Sequence, residues 1–154
     1  MGVPGRLLLG ALPLCLALPT TAASLEPTRA SQVVQLRTFG TTCTTGSGTA
    51  IDLQTRPDGS VAFNYAIPPK QVLVVRRVSF EVAPGPGQTG ISSLELGGNL
   101  IRTAIGVGDG AGVFTREFEF EPGLVVADVS RFCAYLQGVG SITVYATGFL
   151  ARDK

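Results

Sequence analysis

Histidine and tryptophan are absent from the 154 residues, and Met1 is the single methionine. Without histidine there is no Ser/His/Asp triad and no imidazole to activate a cysteine. Any zinc site would rest on cysteine, of which there are three, two of them beyond the N-terminal segment. Without tryptophan, stacking on a sugar ring falls to Tyr65, Tyr135 and Tyr145. Charge is scarce too, at 15% of residues, and lysine occurs only at Lys70 and Lys154. Nowhere do cations cluster, which leaves no electrostatic footprint for nucleic acid or anionic lipid. Beyond the N-terminus, no long window carries a helical apolar period free of Gly or Pro, so helices are not expected.

What is present begins with an export pattern. Arg6 precedes the apolar stretch LLLGALPLCLAL, Leu7–Leu18, and PTTAAS follows with small residues suited to a signal peptidase. Residues 1–23 read as a signal peptide cleaved after Ala23, the stretch being too short and too proline-broken to span a bilayer. Cys15 follows Leu14 and lacks the small residue expected ahead of a lipid-modified cysteine. Residues 24–31 read as a flexible lead and 32–154 as one domain. Loss of Arg6 leaves 11 basic residues against 11 acidic ones, a formally neutral mature chain. In an oxidising compartment its two cysteines, Cys43 and Cys133, are expected to pair as a structural disulfide. The expected location is secreted or periplasmic.

Short apolar alternations separated by Gly and Pro clusters indicate an all-β chain, an antiparallel two-sheet sandwich of nine or ten strands. The strands are expected at 32–39, 49–53, 61–67, 71–83, 91–96, 100–107, 113–120, 124–127, 131–137 and 141–151. RPDGS, LGGN and the longer GVGDGAG read as hairpin turns, and APGPGQTG as a surface loop. Alternation assigns Val61, Phe63, Tyr65 and Ile67 to one core face, and Ile142, Val144 and Ala146 to another. Phe132, Ala134 and Leu136 should oppose Cys133 and Tyr135. Tyr145 and Phe149 read as a second core layer.

QVLVVRRVSFEV, Gln71–Val82, poses a conflict, because strict alternation puts Arg76 on the face of Val72, Val74, Val78, Phe80 and Val82. A buried unpaired charge costs several kcal/mol. Either a β-bulge turns the charge outward, with Leu73 and Val75 facing in before the break, or an acid such as Glu95, Asp128 or one of those in the Glu117 strand pairs with it. Arg116 has the same difficulty among Phe114, Phe118 and Phe120. Arg76 and Arg116 are therefore candidate ligand-binding residues, two inward cations able to converge on an anion, with Tyr145 a third candidate as an exposed stacking ring. A bend or structural salt bridge is the plainer reading of the arginines.

GVGDGAG contains a G-x-G-x-x-A spacing, but a strand follows it where a dinucleotide site needs a helix. Glu117, Glu119 and Glu121 alternate along one strand, more in the manner of a solvated face than of a metal or catalytic site. SITVYATGFLARDK, Ser141–Lys154, resembles in a general way the last strand of jelly-roll domains such as the tumour-necrosis-factor and complement-like families, which implies a jelly-roll-like sandwich and no functional residue. The expected function is a non-enzymatic binding or self-assembly module at the cell surface or outside the cell. Its expected partner is a carbohydrate, a protein or a second copy, with no cofactor and no metal. The alternative is a small carbohydrate-active enzyme using two carboxylates drawn from Glu95, Glu117, Glu119 and Asp128.

Overall fold

The computed structural model describes residues 32–45 and 48–153. The signal peptide and the lead expected before residue 32 lie outside the described residues, as does Lys154. The described chain forms nine strands, β1 Val33–Thr42, β2 Thr49–Thr55, β3 Val61–Ala62, β4 Gln71–Ala83, β5 Thr89–Leu96, β6 Asn99–Val107, β7 Phe114–Val126, β8 Phe132–Gln137 and β9 Ser141–Arg152. A 3-10 turn, Val129–Arg131, joins β7 to β8. Every ladder between strands is antiparallel, in the order β6-β5-β8-β2-β1-β9-β4-β7 with β3 attached to β2, and the sheet is nearly closed into a barrel.

Alternation fills the interior. Val34 and Leu36 of β1, Val78, Phe80 and Val82 of β4, Phe132 and Ala134 of β8, and Val144 and Ala146 of β9 all enter one core. Full burial of a side chain such as Phe80 or Phe132 contributes about 1.5–3 kcal/mol. Cys133 and Tyr135 take the opposite face of β8 and pack with Cys43 and Ala50. The Cys43–Cys133 disulfide is formed. It crosses beside the shortest ladder between neighbouring strands of the main path, where β2 meets β8 in only the pairs Thr49–Ala134 and Ala50–Cys133.

The charges in β4 are resolved by a bulge. Pairing with β9 steps from Val75–Gly148 to Arg77–Thr147, so Arg76 is the extra residue. Leu73 and Val75 face the core before the break, and Val78, Phe80 and Val82 after it. Arg76 Nη1 donates to the carbonyl of Pro122. Arg77 lies outside, paired with Glu117 at 3.0 Å and Glu119 at 2.9 Å.

Four expectations need correction. The 61–67 segment is a strand only at Val61–Ala62, and Val61 and Phe63 are exposed while Tyr65 and Ile67 reach the core, because the chain leaves β2 to cross towards β4. The expected strands at 113–120 and 124–127 are one strand, β7, whose Phe120–Gly123 stretch drops out of the β4 ladder opposite the Arg76 bulge. Phe149 is buried but Tyr145 is 42% exposed, so the two do not form one core layer. GVGDGAG does not close a hairpin, because no ladder joins β6 to β7. The Phe114 ring lies against Gly106, where a Cβ would come within 2.6 Å of it, and Arg116 Nε donates to the Ile105 carbonyl at 3.4 Å. Side chains, not a ladder, close this seam, and the Arg102 guanidinium lies 5.2 Å from the Phe120 ring centre.

Candidate functional site

A second bulge builds a cleft. In TAIDLQT both Ile51 and Leu53 are fully buried, yet pairing with β1 runs Thr38–Ile51 and then Arg37–Leu53, leaving Asp52 as the extra residue. Ile51 thereby joins the main core while Leu53 takes the other face. Bulges re-aim side chains and free main-chain groups from the ladder. Here the freed carbonyl of Asp52 accepts the N–H of Tyr65 at 2.8 Å, which docks the β3–β4 connection onto β2.

Asp52 is only 5% exposed, and among the described residues its carboxylate has no hydrogen-bond or ion-pair partner. It lines a cleft of about 430 Å³ formed by the end of β1, the β3–β4 connection and the β7–β8 corner. That volume falls in the roughly 300–1,000 Å³ range of small-molecule sites. Tyr65 lines the same cleft with its hydroxyl buried and unpartnered, and burial holds that phenol above its ordinary pKa. Asp128 also lines it, but its Oδ1 accepts the N–H of Ser130 at 2.9 Å as the cap of the 3-10 turn. Thr44 donates from both its N–H and its hydroxyl to the Ser130 carbonyl, at 3.2 and 3.1 Å. The wall beside the disulfide is thus tied to the corner after β7. A smaller cleft of about 240 Å³ shares Ala127 and Asp128 with it.

Of the candidate functional residues read from the sequence, Tyr65 and Asp128 line the Asp52 cleft. Arg76 and Arg116 donate to different main-chain carbonyls, those of Pro122 and Ile105, and do not share an acceptor. Tyr145 lies across the sheet from Arg37 and Ser79. Glu117 and Glu119 are occupied by Arg77, and Glu95 sits on β5 opposite Cys133. Among the described residues, no three side chains able to ligate a metal come together. The GVGDGAG loop spends its acid on itself, with Asp109 Oδ1 accepting the N–H groups of Ala111 and Val113.

The sequence carries no signal for Asp52, since alternation places it outward between Ile51 and Leu53 whereas Arg76 falls on an apolar face. The exposed pair Phe39 and Phe63, ring centres 5.1 Å apart, was equally missed. Phe63 directly precedes Asn64 of the cleft lining, and Phe39 stands two residues before Thr41. Comparison of the chain with protein-family models, with curated proteins and with solved structures finds no match.

Proposed function

We propose that the chain is an exported, non-enzymatic binding module whose ligand enters the cleft around Asp52. Residues 1–23 serve as the signal peptide, and the mature chain is secreted or periplasmic, a setting compatible with its disulfide. The finer fold description belongs to the same proposal. The sheet divides at the two-pair β2–β8 junction into two layers of a jelly-roll-like sandwich, with the binding cleft at connections between strands.

The observation that carries this reading is the free carboxylate of a nearly buried Asp52 in a cleft of small-molecule size. A carboxylate turned to a cleft without a protein partner is open to a ligand that donates hydrogen bonds to it. Binding is favoured over glycoside hydrolysis because hydrolysis needs two disposable carboxyl groups, and the second acid of the cleft, Asp128, is engaged by the main chain. A second reading, self-assembly, is favoured by β6, an end strand of the sheet order whose Leu100, Ile105 and Val107 are 62%, 55% and 57% exposed.

Arrays of glycans and of extracellular proteins probed with the mature chain and with Ala66→Trp test the proposal. Ala66 is an exposed residue of the cleft lining, and an indole there occludes it. Array binding by the native chain that Ala66→Trp abolishes is the expected result. Binding indifferent to that substitution removes the cleft as the site, and concentration-dependent dimers lost on Leu100→Lys would transfer the function to β6.

A further inference from the structure

We infer that the cleft selects a neutral, polyhydroxylated ligand, a saccharide, through the Asp52 carboxylate and the Tyr65 hydroxyl; this rests on the cleft being the binding site. The two differ in exposure: the Tyr65 oxygen is buried and unpartnered, while Asp52, 5% exposed as a residue, turns an unpartnered carboxylate to the cleft. Each would otherwise find a partner in a folded interior. A carboxylate accepts only, so its complement is a donor, and a phenol can both donate and accept. Adjacent hydroxyls of a sugar ring supply two donors to one carboxylate while offering acceptors to a phenol.

The rest of the lining narrows the class. Thr41, Thr42, Thr44, Asn64 and Ser130 are neutral hydrogen-bonding side chains, and no arginine or lysine lines the cleft. A phosphate or carboxylate ligand would meet Asp52 with no cation to offset the repulsion. A hard divalent cation takes six or more oxygens with several charges among them, whereas one free carboxylate stands here. An ammonium ligand would answer Asp52 and the capped Asp128 but leave the five neutral hydrogen-bonding side chains unmatched; many weak polar groups favour a ligand built the same way. The exposed Phe39–Phe63 pair, adjacent in sequence to the lining, offers an apolar surface for the C–H face of a ring.

The test is isothermal titration of the mature, disulfide-bonded chain with short oligomers of glucose, N-acetylglucosamine, mannose and xylose. The native chain is compared with Asp52→Asn and Tyr65→Phe. Asn is isosteric and breaks no protein contact, so thermal unfolding should show Asp52→Asn folded. The expected result is binding of at least one oligomer, weakened about ten- to a hundredfold by Asp52→Asn, weakened less by Tyr65→Phe and nearly unchanged by added salt. Absence of binding to all four oligomers overturns the inference, as does saccharide binding indifferent to Asp52→Asn. Salt-sensitive binding of polyamines or lysine-rich peptides in place of sugars also overturns it. If an extracellular protein binds in a manner abolished by Ala66→Trp, the cleft stands as the site and only the saccharide assignment fails.

Discussion

The Asp52 carbonyl accepts the Tyr65 N–H at 2.8 Å, so the residue displaced by the β2 bulge also anchors the segment that closes over it. One irregularity in a strand thereby sets both the acid and the phenol of the cleft. The fold tolerates two unpaired polar groups there, and their removal separates stability from binding.

Tyr65→Phe should stabilise the fold by about 1 kcal/mol at neutral pH, because it deletes a buried hydroxyl without a partner. Burial holds the Tyr65 phenol above its ordinary value, so the folded chain keeps a proton that the unfolded chain releases near pH 10. That contribution is complete below about pH 10 and is lost as pH rises through the folded value. Urea unfolding across neutral to alkaline pH should show a weaker alkaline loss in Tyr65→Phe than in the native chain.

The disulfide joins residues 90 apart beside the two-pair junction of β2 and β8. Replacing both cysteines by serine should lower stability by about 4–5 kcal/mol, the chain-entropy value for a loop of that size. Because Thr44 and Ser130 of the cleft wall flank the bridge in sequence, ligand binding should weaken along with it.

Arg76 and Arg77 should respond differently to the same change. Arg77→Gln loses only solvent-exposed ion pairs to Glu117 and Glu119 and should cost at most about 1 kcal/mol, less at high salt. Arg76→Gln removes a donor to the Pro122 carbonyl where β7 leaves its ladder, and should cost about 1–2 kcal/mol with little dependence on salt. Denaturant midpoints at low and high salt check both.

Gly148 faces the Arg76 bulge, and a Cβ there would lie 2.3 Å from the Val74 carbonyl oxygen. Gly148→Ala must push β9 from β4 and should cost about 3 kcal/mol or more. Gly110→Ala meets nothing within 4 Å and should be neutral within about 0.5 kcal/mol. Thermal unfolding of the two variants side by side checks the contrast.

Strand positions were legible because alternation and turn residues are local. Val144 and Ala146, or Phe132 and Ala134 against Cys133, fell on the expected faces, and the lone pair of cysteines left one partner for each. The Arg76 bulge was legible as one of two remedies, since no face could hold that charge. The Asp52 bulge was not, because strict alternation gave Asp52 an acceptable outward position, and only the partner strand reveals that Leu53 shares a face with Arg37. The cleft was hidden for a related reason. It gathers residues from β1, β2, the β3–β4 connection and the β7–β8 corner, whose meeting depends on how the sheet curls towards closure. The ladder-free seam between β6 and β7 was equally nonlocal, a glycine-rich link between consecutive strands being the ordinary mark of a hairpin.

The most direct test of the cleft is a map of backbone amide shifts in the isotope-labelled mature chain on titration with a saccharide that it binds. The account expects shifts concentrated at residues 41–44, 52, 64–67 and 127–130, and absent from Asp52→Asn at the same concentration. Shifts confined to β6, Asn99–Val107, or to the surface around Arg77 and Glu119, would contradict it.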